Sequence, residues 1–492
     1  MRLPFGEWLP DQPDYENSGS NEITNALPDG DGYKSIGALT SISDAFTSYC
    51  RGAYSTRDSN DVVYNFAGDE NSLKLLSGAV SSTWTDVSRS TGYNLGLRSY
   101  WDFTRIGDRV IAVGRQNGKP QYYDLGVSST FENLTGSPDS KVVGIVREFL
   151  VVGDTTDTTD GHMPNRVRWA GIGTTESWDV SATTQADYQD LQREYGRVHA
   201  ITEGEVGYIF QERAITRMSY VGTPSIFQFD VVEVNRGTQA SRSVVQIGSL
   251  VYYLGSDGFY VFDGAASTPI GNMRVDATFL ADFDADYAHR VIAVADREQK
   301  LIYWAYPSKT ATDGTPDKIL VFNYADGEQS RWTRIEQDVE ILWDALTPDM
   351  TVEELDTIDA SLDGLSGTLD IGIYIGGSPF VGAFNTDHEA ATFTGSPMTA
   401  VMTTTEQGQT DRGVITRARP VLEGTESVTV AIGTRDSLAD LVTWTSEVSP
   451  VSNGTFPVRA NGRYVRARLT VTGRFTNGKG VDVEEYTGGG KR

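Results

Sequence analysis

The stretch 243–271 constrains the chain more than any other, because it reads as three short strands joined by turns too tight for anything but a meander. Residues 244–247, 250–254 and 259–262 are rich in Val, Ile, Leu, Tyr and Phe. The breaks between them fall at Gly248-Ser249 and at Gly255-Ser256-Asp257-Gly258. Asp-Gly and Gly-Ser supply the left-handed backbone angles that short hairpin loops need. Asp263-Gly264 closes the unit. A meander of three or four such strands is one blade of a β-propeller.

Units of the same kind recur. They cover 62–86, 100–125, 142–179, 198–232, 243–271 and 291–333, and a weaker last unit runs from 359 through 369–374 to 380–384. Their spacing, roughly 45–60 residues, is that of blades with loop insertions. The expected fold is all-β: a six-bladed β-propeller over 36–385, an extended N-terminal arm over 1–35, a β-sandwich-like C-terminal domain over 386–486 and a flexible tail over 487–492. Trp84, Trp178 and Trp332 stand near the ends of three units. A large flat side chain repeated at that place fits packing between neighbouring twisted sheets better than a sugar platform. The one helical candidate is 351–355, where Thr351 and Glu354 fit a capping box; a polar loop is the competing reading.

The flanks differ from the middle. The arm carries four prolines and no periodicity, yet Trp8 and Leu9 need burial, either along the chain's own propeller or on a neighbouring subunit. After residue 385, the segments 401–405, 414–420, 427–434, 443–447 and 464–472 alternate as half-buried strands do. Arg463, Arg466 and Arg468 sit between apolar residues in the last of these regions. They suit pairing with acidic groups of a partner, against the plainer reading of a solvated strand face.

Charge narrows the function. The 492 residues carry a formal charge of −26, and 386–492 hold 12 basic and 12 acidic residues, so 1–385 keep 29 basic and 55 acidic. A chain so acidic lacks the basic face of a tight DNA binder. Cys50 is the single cysteine, so no intrachain disulfide forms, and no stretch has the length of a membrane span. Synthesis in the cytosol is expected, since the first residues hold no apolar run of a signal peptide. His162, His199, His289 and His388 show no zinc spacing. Asp282, Asp284 and Asp286 lack the Gly and distal Glu of a calcium loop, and Asp154, Asp157 and Asp160 lack its spacing; both groups read as solvated acidic loops. Phosphate loops, dinucleotide fingerprints and nucleophile elbows are missing. No catalytic, metal or cofactor residue is assigned, and a non-enzymatic role is expected.

Several phrases, taken in their order, carry a family resemblance. They are Trp101-Asp102-Phe103-Thr104-Arg105-Ile106-Gly107-Asp108-Arg109, Asn165-Arg166-Val167-Arg168-Trp169-Ala170, Glu212-Arg213-Ala214-Ile215, Leu254-Gly255-Ser256-Asp257-Gly258-Phe259-Tyr260 and Gly462-Arg463-Tyr464-Val465-Arg466, with Trp8-Leu9-Pro10-Asp11 at the start. Together they resemble the tail nozzle, or packaged-DNA stabilisation, proteins of short-tailed bacteriophages. That resemblance implies a virion tail component assembled in the host cytoplasm, a hexameric ring below the portal and head–tail adaptor, with a tail fibre or needle as a further attachment. Double-stranded DNA would pass through the ring without specific binding. An acidic lumen fits that task, since it repels phosphates instead of holding them. The resemblance carries no catalytic residue. Two other readings stay open: a carbohydrate-active propeller of the sialidase or depolymerase kind, and a propeller scaffold that binds host proteins.

Overall fold

The computed structural model describes residues 1–14, 17–76, 83–116, 118–325, 330–347, 377–424 and 427–486. The segments expected at 351–355 and 369–374 and the tail 487–492 lie outside the described residues.

The expected all-β propeller is present. Six four-stranded antiparallel sheets stand free. We call them blade A (52–86), blade B (101–133), blade C (142–190), blade D (198–234), blade E (245–269) and blade G, whose strands Ile341–Leu346, Pro379–Phe384 and Ala390–Thr392 are completed by Thr40–Ser41. A further meander of the same order, blade F, comprises Ile292–Asp296, Leu301–Tyr306, Lys318–Asn323 and Trp332–Glu336. It lies between E and G in the circle, and its outer strand runs on into the C-terminal sheet.

Blade E shows how the sequence makes the unit. Its strands are Val245–Ile247, Leu250–Leu254, Phe259–Phe262 and Ser267–Pro269. Gly248 turns the first hairpin at φ +61° and Gly258 the second at φ +145°. A side chain at 258 would run into the Asp276 carboxylate. Successive side chains on a strand point to opposite faces. Accordingly Tyr252 and Leu254 join the core shared with blade F, while Val251 and Tyr253 meet Phe210 of blade D. Both faces are buried, so the hydrophobic run is nearly unbroken.

The domain limits depart from the expected ones. Blade G reaches Thr392, past the boundary drawn at 385, and its outermost strand is donated from the N-terminal side: Ser41 pairs with Ala391 and Thr40 with Thr392. An unpaired sheet edge takes whatever strand lies nearest, and here the chain supplies its own. The arm is also more than an extended tether. Arg2–Pro4 pairs with 480–482, and Ala26–Asp29 forms a hairpin with Gly32–Ser35. Ile23–Thr24 bonds blade F on one side and strand Ala400–Thr403 on the other. The C-terminal strands therefore do not stand apart. Leu3, Phe5, Trp8 and Ile23 share one core with Trp304 and Trp332 of blade F and with Met402, Val465 and Leu469. Two strands of 17 residues, Gln407–Glu423 and Phe456–Thr472, carry this C-terminal region. The second bonds Ser427–Arg435 along its C-terminal half and Gln407–Glu423 along its N-terminal half, so it is shared by both sides of the layer.

Candidate functional site: the central channel and the arm

Seven innermost strands, Gly52–Arg57, Trp101–Ile106, Val142–Val146, Val198–Ile201, Val245–Ile247, Ile292–Asp296 and Ile341–Leu346, surround a channel of about 740 Å³. That is the volume of a small-molecule pocket, on the order of 300–1,000 Å³. A channel of that volume does not admit a DNA duplex.

Three carboxylates and three guanidinium groups line the channel: Asp102, Glu203 and Asp344 against Arg115, Arg242 and Arg297. Asp102 pairs with Arg115 at 2.8 Å, and Asp344 with Arg297 at 3.7 Å. Thr104 donates its hydroxyl to Glu203. Although both carboxylates touch the channel's solvent, enclosure by the surrounding wall raises the pKa of Glu203 and of Asp344. The lining is balanced in charge, so the acidic lumen expected from the net charge is not found on this axis. The surplus belongs to outward surfaces, including the mouth loops that carry Asp61, Asp108, Glu148, Glu205 and Glu298.

The opposite end is basic. Arg51, Arg98, Lys141, Arg197, Arg242 and Arg290 each stand within three residues of the start of an inner strand; Ile341–Leu346 is preceded by Glu340 instead. Arg51 pairs with Glu70 at 2.9 Å. Lys141 and Arg197 reach Asp154 at 3.6 and 3.9 Å. The Arg115 and Arg242 guanidinium groups lie 4.8 and 4.4 Å from the centre of the Tyr100 ring. Burial, reinforced by Arg115 and Arg197, lowers the His199 pKa to about 3. Burial, with Arg290, Arg242 and Arg98 adding, lowers that of His289 to about 4. Both imidazoles are thus neutral at ordinary pH.

The residues singled out from the sequence fall into two groups. Trp84 packs on Phe46 and Phe384 between blades A and G. Trp178 is buried among Ile111, Leu134 and Leu150 between blades B and C. Trp332 lies between blades E and F, 5.1 Å from Phe259. The others gather where the arm meets the C-terminal strands. Trp8 and Leu9 are buried on the chain's own body, and Trp8 donates its indole N–H to the Asn21 carbonyl at 3.0 Å. Arg466 bonds Asp14 of the arm at 2.8 Å, and Arg468 pairs with Glu22 of the arm at 3.2 Å. Arg463 is exposed. The acidic groups that meet Arg466 and Arg468 are thus those of this chain.

The two acidic loops are not simply solvated. Asp154 is buried, with His162 at 2.5 Å besides its two cations. Asp160 pairs with Arg166 at 2.6 Å, as Asp157 does at 3.4 Å. Asp282 takes Lys318 at 2.8 Å and the Tyr306 hydroxyl at 3.1 Å. The basic end of the channel was missed, although a basic residue ahead of most inner strands is visible once those strands are known.

No protein-family model matches the chain, and no curated protein does. Among solved structures, it is similar to the extracellular domain of a one-component system of B. thetaiotaomicron, with 8% identity and a TM-score of 0.41 over 80% of this chain. The chain spans 44% of that domain's length. It is also similar to the Neurospora crassa Pan2 WD40 domain, with 8% identity and a TM-score of 0.39, covering 72% of this chain and 94% of that one. The exo-β-1,3-galactanase of Phanerochaete chrysosporium has 10% identity and a TM-score of 0.29, with 91% and 100% covered. The fold assignment itself rests on the strand pairing.

Proposed function

We propose that this chain is an architectural subunit of a short-tailed phage virion, a nozzle protein that closes into a hexameric ring below the portal and adaptor, retains packaged DNA and forms its exit path. The observation that carries the reading is the stitching of propeller, arm and C-terminal strands into one body through Ile23–Thr24, which bonds to both. A conduit that withstands packaged DNA needs subunits without internal hinges. The sequence phrases behind the family resemblance fall on the arm, on blade strands and hairpins and on the strand Phe456–Thr472, so they are spread over the scaffold; of these residues Trp101, Asp102 and Phe103 line the channel. The balanced channel leaves the acidic surplus outside, where a ring would place part of it along its lumen and repel the duplex. Ring closure uses two different patches of each subunit around one axis.

The test is mass measurement of the purified chain, alone and with portal and adaptor rings. Six-fold assembly on those rings is the expected result. A chain that stays monomeric beside them and releases sugars from a host glycan sinks the proposal. One observation favours that alternative: Glu203 and Asp344, both of raised pKa, share a pocket-sized channel. Glycan release abolished by Glu203→Gln would establish it.

A further inference from the structure

The basic end of the channel contains cations without a salt-bridge partner among the described residues. Arg51, Arg115, Lys141 and Arg197 each have a carboxylate partner. Among the described residues, Arg98, Arg242 and Arg290 form no ion pair. Arg242 lines the channel floor and reaches only backbone carbonyls, that of Arg51 at 3.4 Å and that of His289 at 3.5 Å, while its Nε has no partner. Arg290 lies over the Tyr49 ring at 4.7 Å and touches the Thr315 hydroxyl at 3.5 Å. Arg98 is exposed, three residues ahead of the inner strand Trp101–Ile106. His289 joins the three: its carbonyl accepts from Arg242, its neighbour in sequence is Arg290, and all three act on its imidazole.

Holding Arg242 and Arg290 beside the same backbone at His289 without a salt-bridge partner is costly, because like charges in a partly desolvated setting repel. In a chain of net charge −26, carboxylates were available to pair with them. Tyr100 faces Arg242 and Tyr49 faces Arg290 instead, and the hydrogen bonds of these two groups, at 3.4–3.5 Å, are long and leave most of their N–H donors uncommitted. Guanidinium donors are laid out as a planar fork that matches an oxyanion.

We propose that Arg98, Arg242 and Arg290 form a binding site for a phosphate-type oxyanion at the basic end of the propeller channel. The anion enters beside exposed Arg98 and is held between Arg290 and the floor arginine, Arg242. Its source is a free phosphate or the terminal phosphate of a nucleic acid, and the acidity of the rest of the chain favours the free ion. The site is independent of ring assembly, so it stands or falls separately from the nozzle reading.

Titration calorimetry of the full chain tests this with inorganic phosphate, with pyrophosphate and with a 5′-phosphorylated DNA duplex beside its unphosphorylated form. Saturable binding of phosphate or pyrophosphate is expected, weakened about tenfold or more by Arg290→Gln and by Arg98→Gln. Arg98 is exposed, so its variant keeps the fold even if Arg242→Gln does not. Binding of only the 5′-phosphorylated duplex, lost in the same variants, would keep the site and assign its source to nucleic acid. Absence of saturation by any of these up to about 10 mM, far weaker than a built site gives, overturns the proposal. Binding that both variants leave intact overturns it equally.

Discussion

Thr24 of the arm stands opposite Arg334 of blade F in a parallel bridge. The two are far apart in the chain, and Thr24 bonds on its other side to Val401 of the C-terminal strands. Two residues of the arm thus make the propeller and the C-terminal region one sheet. Trp8 holds that segment down, buried in the core that all three parts share. Trp8→Ala is expected to cost about 3–5 kcal/mol, the usual range for removing a buried Trp. It should also uncouple the parts. Urea unfolding followed by fluorescence and by circular dichroism would then show two transitions where the parent shows one. A single unshifted transition would mean that the arm bears no load.

Asp276 ties stability to pH. Burial above all, with Asp11 and Asp257 adding to it, raises its pKa to about 7, against the hydrogen bond it accepts from the Phe259 N–H at 3.1 Å. A folded pKa above the unfolded value means that the native state prefers the neutral acid. Its contribution is full below about pH 4 and is lost as pH rises through about 7. Asp276→Asn keeps the acceptor oxygen without the charge. It is expected to raise the melting temperature at pH 8 by several degrees, on the order of 1–3 kcal/mol, and to change it little at pH 4. Melting curves across that range check both ends.

How far the sequence reveals the structure depends on how local the pairing is. In blade E, two of the three strands expected from alternation and turn residues match their observed limits, Leu250–Leu254 and Phe259–Phe262. Each pairs with its neighbour across a short turn, so pattern and partner lie in one window. Ile23–Thr24 has no such window, because its partners are hundreds of residues away and two residues carry no period. Blade G is legible only in part: its strand Pro379–Phe384 falls on the expected 380–384, while its outer strand, Thr40–Ser41, comes from the other end of the propeller. Arg466 and Arg468 were visible as cations on a strand, but nothing nearby in sequence marks Asp14 and Glu22 as their partners. The channel arginines are plain in the sequence, yet their convergence appears only once the inner strands form a circle.

Close approach between blades A and B makes Gly68 irreplaceable. A Cβ there would lie 2.5 Å from Cδ1 and 2.6 Å from Nε1 of Trp101, whose indole N–H is fixed on the Asp69 carbonyl at 2.8 Å. The ring cannot yield without giving up that bond. Gly68→Ala is expected to destabilise the chain by about 1–3 kcal/mol, the range for overpacking a filled core. A double variant, Gly68→Ala with Trp101→Phe, should recover part of the loss. Equal losses in the single and double variants, measured by urea midpoint, would refute the steric account.

Cys50 reports on ring closure. Its thiol is fully buried, and burial first, then the Glu340 charge, pushes its pKa well up. Its backbone N–H donates to Glu340 at 2.7 Å, and its neighbours include Leu342, Phe384 and Ala390 of blade G. The thiol therefore sits at the seam where the last blade meets the first, which is held by the donated strand Thr40–Ser41. A buried protonated thiol is a poor nucleophile, so modification requires the seam to open. A disulfide reagent should label the native chain no faster than it unfolds. Ile42→Pro removes the N–H that donates to the Ala390 carbonyl at 2.7 Å beside the donated strand. Labelling should then quicken roughly tenfold at temperatures where circular dichroism still shows a folded chain. Rapid labelling of the parent, or no acceleration in the variant, would show that closure does not depend on the donated strand.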